Sequence, residues 1–185
     1  MRPVLVGGVG YRLLRDYSAG VLVTDRLEQL RWPDHVRVQD LSFNPVAVAQ
    51  QLQDDMAHEP DLLVVFVSAA ARGRRPGAAT SYRWDGGLPS PDRVQAAVAE
   101  AVTGVIALDN TLIVARQFDG LPEDVAVVEI EPKVESFGEA LSPEVDEGLD
   151  EVVRRVRTIA LDPSVVRSLP LAPLGGGALP RVGHR

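Results

Sequence analysis

Residues Val4 to Gly20 read VLVGGVGYRLLRDYSAG, and this stretch decides the fold. Val4-Leu5-Val6 is an unbroken, β-branched apolar run, which suits a strand buried on both faces. Gly7, Gly8 and Gly10 follow, and glycine permits a sharp turn and a close approach by other backbone. From about Ser18, Val21, Leu22, Leu27 and Leu30 keep helical spacing. Strand, glycine turn and helix make the first half of a βαβ unit, and ligands bind at the carboxyl end of such strands.

The pattern continues outward. Val36 to Leu41 alternates as a second strand, and Asn44-Pro45 opens a short helix with Asn44 as its cap. Leu62 to Val67 is apolar throughout and predicts a central parallel strand, with Ala78 to Trp84 as another at an edge. Ser90-Pro91 opens a helix reaching about Val105, and Asn110 to Val114 fits either a helix or a strand. Val125 to Ile130 is a strand. Ser142-Pro143-Glu144 opens a helix to about Ile159, with Ser142 as N-cap. The order predicts a three-layer α/β/α sandwich with a mostly parallel central sheet in residues 1–160. Residues 161–185 carry Pro163, Pro170, Pro173, Pro180 and Gly175-Gly176-Gly177, and read as a Pro/Gly-rich tail without regular helix or strand.

The chain has 185 residues and a formal net charge of -7, which argues against a nucleic-acid partner and against an anionic membrane surface. It has no cysteine, so disulfides, thiolate metal sites and thiol nucleophiles are excluded. No apolar run has membrane-spanning length. Met-Arg-Pro leads straight into a strand and leaves no room for a signal peptide, so the cytoplasm is the expected location. No GxSxG occurs, and His35, His58 and His184 have no carboxylates at ligand spacing. Arg72, Arg74 and Arg75 form a small basic loop that reads as a solvated connection. Gly8-Val9-Gly10 could be a phosphate-binding turn, but Leu13 stands where a third glycine is needed, and Asp40 lies beyond the usual spacing of about 20 residues for a ribose-binding acid.

Four segments together resemble the hydrogenase maturation proteases: VLVGGVGYRLLRDYSAG, LLVVFVSAAARGRRPGAAT, SPDRVQAAVAEAV and LPEDVAVVEIEPKVESFGEALSPEVDEGLDEVV. The likeness spans roughly residues 2 to 158, and its most specific part is Ile130-Glu131-Pro132 with Leu141 to Val145. The resemblance implies a cytoplasmic enzyme of aspartic-type, metal-dependent chemistry that removes a C-terminal extension from the large subunit of nickel-iron hydrogenases. Nickel belongs to the substrate in that family, so no resident cofactor or metal is expected, and the implied partner is a metalloenzyme subunit or another protein.

The resemblance also places the nickel-recognising side chains: an acid after the first strand, an acid ending the central strand, and the His of a Ser-Pro-His helix. Here Asp16 matches the first acid of the opening segment, and Tyr17 stands at the ligand position that follows. The central-strand position falls at Val67, or at Ser68 with a one-residue shift, and the histidine position is Asp92. Tyr11 replaces the Asn of the family's GxGN turn. These replacements imply a divergent or non-catalytic member with its catalytic residues unassigned. An Asp16–Asp92 carboxylate pair would suit a hard cation rather than nickel. Two other functions fit the residues: a partner-protein module using the cleft or the tail, and a small-ligand or nucleotide binder at the Gly8–Gly10 turn.

Overall fold

The computed structural model describes residues 1–176. Six strands form one sheet: β1 (Val4–Val9), β2 (Val36–Asp40), β3 (Leu63–Ala69), β4 (Ala79–Trp84), β5 (Val125–Ile130) and β6 (Leu171–Ala172). Their spatial order is β2-β1-β3-β5-β4-β6, and among the described residues only the β4–β5 pairing is antiparallel. The expected three-layer α/β/α architecture is therefore present, with β3 between β1 and β5 in the interior.

Among the described residues five α-helices cover the sheet: α1 (Ala19–Glu28), α2 (Pro45–His58), α3 (Pro91–Val102), α4 (Leu108–Gln117) and α5 (Pro143–Leu161). Strand periodicity divides the core between the two faces. Val4, Val6, Val65, Val67 and Val128 meet α1 and α5, whereas Leu5, Val64, Phe66 and Val127 meet α2 and α4. α3 stands outside α4, sharing the small cluster of Ala97, Ala101, Ile113 and Val114. Asn44 caps α2 by accepting the Val46 amide at 2.8 Å, and Ser90 caps α3 by accepting that of Arg93 at 3.4 Å.

Several expectations are corrected. Gly7 and Gly8 lie inside β1 rather than in a turn. The reason for glycine is close packing: a Cβ on Gly8 would lie 1.8 Å from Thr24 Oγ1 and 2.7 Å from the Gly20 carbonyl. A Cβ on Gly20 would in turn lie 2.4 Å from the Val9 carbonyl, so α1 rests directly on strand backbone. Asn110 to Val114 is helical, inside α4, and α3 stops at Val102, short of Val105. Ser142 precedes α5 but makes no side-chain cap; its hydroxyl is diverted to Asp16.

The segment after α5 is also more regular than its composition suggests. Pro163–Ser168 forms a 3-10 helix with Val166 buried, and Leu171–Ala172 pairs in parallel with Arg83–Trp84. Proline fits there because each falls at a helix start, between elements or after the short strand. Gly177, Pro180 and His184 lie outside the described residues.

Candidate functional site

The carboxyl ends of β1 and β3 open into a cleft of about 460 Å3. Its floor is Gly10 and the Ser68–Ala71 backbone, and the start of α4 forms one wall. Tyr11 and Tyr17 supply aromatic sides, as the βα position of such a cleft predicts. The Tyr11 hydroxyl accepts the Ile106 amide and pins the loop before α4, while the Tyr11 amide donates to the Tyr17 carbonyl at 3.3 Å. Ser68 is buried, and its hydroxyl donates to the Ala69 carbonyl at 3.1 Å.

Apart from Glu135, the charged groups that line the cleft are bound to other polar or charged groups. Arg72 reaches both oxygens of Asp109, at 2.8 and 2.6 Å, and also Glu129 at 2.7 Å. Arg74 meets the other Glu129 oxygen at 2.8 Å, and the Tyr82 hydroxyl donates to Glu129 at 3.0 Å. Glu129 is fully buried inside β5, so these three donors are what make a charge tolerable there. Burial favours the neutral form of Arg72, but its bonds to Asp109 and Glu129 outweigh this and keep it protonated. Burial and the neighbouring Glu129 push the Tyr82 phenol well above its ordinary range. Behind them, Glu131 accepts the Arg72 amide at 2.8 Å and the Gly73 amide at 2.9 Å. On the opposite wall Arg93 donates to Asn110 at 2.6 Å, and Asn110 donates to Glu100.

Of the positions expected from sequence, Tyr17, Ser68 and Gly10 line this one cleft. Val67 does not: its side chain packs in the α1–α5 core and is 1% exposed. Gly8 lies within β1, and the Gly10 amide donates to Ser42 Oγ at 3.1 Å, so it is not held open for a phosphate. Asp92 is exposed in the first turn of α3, outside the cleft lining. Asp16 is fully buried and faces the loop after β5. Its carboxylate accepts the amides of Lys133 (2.8 Å), Val134 (2.8 Å) and Ser142 (2.7 Å), and the Ser142 hydroxyl at 2.8 Å. The Asp16–Asp92 pair therefore does not form. Burial raises the Asp16 pKa, but the four donors more than compensate and hold it below the ordinary carboxylate value.

The basic loop is likewise not a solvated connection at Arg72 and Arg74, which are largely buried against Glu129. The sequence carried a signal for this. An acid within the apolar strand VAVVEI demands a buried cation, and Arg72 and Arg74 follow the adjacent strand. Asp109 had no comparable signal, because α3 intervenes before the helix that faces the cleft.

The structure is similar to solved endopeptidases. The hydrogenase maturating endopeptidase HybD from E. coli shares 23% identity over 91% of this chain and 94% of its own, with a TM-score of 0.61. An endopeptidase from Escherichia coli, solved in solution, shares 26% over 89% and 94%, also with a TM-score of 0.61. The NiFe hydrogenase maturation protease HycI from Thermococcus kodakarensis KOD1 shares 19% over 86% and 93%, with a TM-score of 0.56.

This chain has the hydrogenase maturation endopeptidase fold.

No family model matches the chain, and no curated protein matches it. Compared with the donor set expected for a hydrogenase maturation endopeptidase, the cleft holds phenols and a hydroxyl, and of its lining acids Asp109 is paired with Arg72 and Glu100 with Arg93. Among the described residues, no group of three or more His, Asp and Glu side chains is placed to hold a metal ion. No helix among them is long and apolar enough to cross a membrane.

Proposed function

We propose that this chain is a hydrogenase maturation protease-like protein that keeps the family's peptide-facing cleft without its nickel readout, and so is a divergent, non-catalytic member. The observation that carries this reading is the content of the cleft. Tyr17 and Ser68, to which the resemblance assigns ligand positions, line it, and Arg72 engages both Asp109 and Glu129. Nickel affinity in a mixed site depends on imidazole and several convergent donors. A phenol near neutral pH stays protonated, and a neutral hydroxyl is a weak ligand. The cleft's tyrosines and its floor of small residues instead suit an extended segment of a partner protein, acting in the cytoplasm on a metalloenzyme subunit.

Calorimetry on tag-free protein tests this. We expect no one-to-one nickel site of micromolar affinity. Such a site, lost in Asp109→Asn, would overturn the reading. The converse variant places donors at the positions that line the cleft: Tyr17→Glu with Ser68→Asp and Asp109→His. It should gain nickel affinity, whereas Val67→Asp should only unfold the α1–α5 core. Incubation with a nickel-loaded hydrogenase large-subunit precursor should leave the C-terminal extension uncut, and specific cleavage would refute the loss of activity.

A further inference from the structure

The segment from Lys133 to Leu141 joins β5 to α5, and it is held at several points along its length. Asp16 takes the amides of Lys133 and Val134 at one end and of Ser142 at the other. In the middle, Gly138 donates to the Leu13 carbonyl at 2.8 Å and accepts the Arg15 amide at 2.9 Å, while Arg15 Nε reaches the Ala140 carbonyl at 2.9 Å. The facing loop achieves this by placing Leu13 and Arg15 in the left-handed region, with φ of 65° and 43°. Side chains with a Cβ enter that region only at a cost, so two adjacent loops are locked together by strained backbone.

What this fastening presents is apolar. Phe137 is 83% exposed, next to Gly138, and Leu13, bonded across to Gly138, is 44% exposed. A groove of about 680 Å3 continues from the segment between α1 and α5, with Leu22, Leu141 and Leu149 in its lining and Glu139 and Asp146 at its side. Lone exposed apolar residues are ordinary, but an aromatic ring on a fastened loop beside a groove with three leucines in its lining and charged residues at its sides is a prepared surface. Its charge is acidic in balance: Arg26 also lines the groove and pairs with Asp146 and Asp150, whereas Glu135 and Glu139 make no ion pair among the described residues. Residues 131–151 contain eight acids and one base, Lys133, and Lys133 is already paired with Glu144. Glu135 and Glu139 flank Phe137 in sequence and are exposed.

We propose that Phe137, Leu13 and the adjoining α1–α5 groove form a docking surface for a basic protein segment that carries an apolar residue. The apolar residue fills the groove against Leu141, Phe137 covers it, and the acids pair with flanking Lys or Arg. Complementary charge sets the partner's approach and orientation, and the fastened loop lowers the entropy lost on docking. An anionic lipid surface is repelled by the same acids. Phe137, Leu13 and the α1–α5 groove lie outside the cleft lining, which this surface meets only at Glu135, so the Phe137→Ser result stands or falls independently of the nickel titration.

The test is selection of random dodecapeptides on the intact chain, followed by binding measurements on the synthesised winners. Enriched peptides should carry net positive charge and an aliphatic or aromatic residue. Phe137→Ser should weaken them by about tenfold or more. Glu135→Gln with Glu139→Gln should weaken them at low salt and flatten the salt dependence. Phe118→Ser, an exposed ring at the end of α4, should leave binding unchanged. All four side chains are exposed, so thermal melts of the variants should match the parent. No enrichment, enrichment of neutral or acidic peptides, or undiminished binding by Phe137→Ser would each overturn the proposal.

Discussion

At Asp16 a single carboxylate satisfies three backbone amides and one hydroxyl from the two ends of the segment that joins β5 to α5. Hydrogen bonds to a charged acceptor contribute about 1.5–3 kcal/mol each when buried, and the amides left behind carry a further desolvation penalty. Asp16→Ala should therefore cost at least about 3 kcal/mol in chemical denaturation, and Asp16→Asn somewhat less. The sign with pH follows from the depressed pKa. The folded chain binds this proton less readily than the unfolded chain, so the contribution is full above the ordinary Asp value near 4 and fades as pH falls through the lower folded value. The stability gap between parent and Asp16→Asn should narrow only in that acid range; a gap independent of pH would mean the carboxylate's charge is irrelevant. Arg72 gives the complementary case. Arg72→Met leaves buried Glu129 with Arg74 and Tyr82 alone, and should cost about 3 kcal/mol. A loss below about 1 kcal/mol would show that Glu129 is held well enough without Arg72.

Among the elements, α1 is fitted directly onto the backbone of β1 and β3. Gly20→Ala puts a methyl 2.4 Å from the Val9 carbonyl and 2.7 Å from that of Val67, neither of which can swing aside. We expect a loss of about 2–3 kcal/mol, measured by urea midpoint, with overpacking as the cause. Val65→Ala, in the middle of β3, should cost about 2 kcal/mol or more through the cavity it leaves. Strands β1, β3 and β5 were legible because burial on both faces leaves a continuous apolar run, and α2, α3 and α5 because Asn44, Ser90 and Ser142 each precede a proline. Less was legible wherever a residue's role depends on a distant segment. Gly8 read as a turn because the carbonyl of Gly20 pressing on it comes from the next element. Asp16 read as a cleft acid because its partners lie more than a hundred residues away. The choice between Val67 and Ser68 is a one-residue register, which in a strand decides the face and cannot be read without the sheet.

For the whole molecule, residues 162–176 close the sheet's far edge. Val166 is fully buried, β6 pairs with β4, and Gly175 bridges Arg74 and Tyr82 through its carbonyl and amide. A chain ending at Ala160 should thus melt lower by roughly 5–10 °C, since each kcal/mol lost shifts a domain of this size by about 2–4 °C. An unchanged midpoint would make this segment an appendage of the 1–160 unit. The β4–β6 pairing also has a consequence for how the chain is made. Arg83 and Leu171 meet across nearly half of the sequence. On a ribosome adding about 5–20 residues per second, the outer edge of β4 therefore waits several seconds for its partner. During that interval its unpaired amides and carbonyls are open to another strand, so crowded nascent chains are where this protein is most prone to pair with the wrong one.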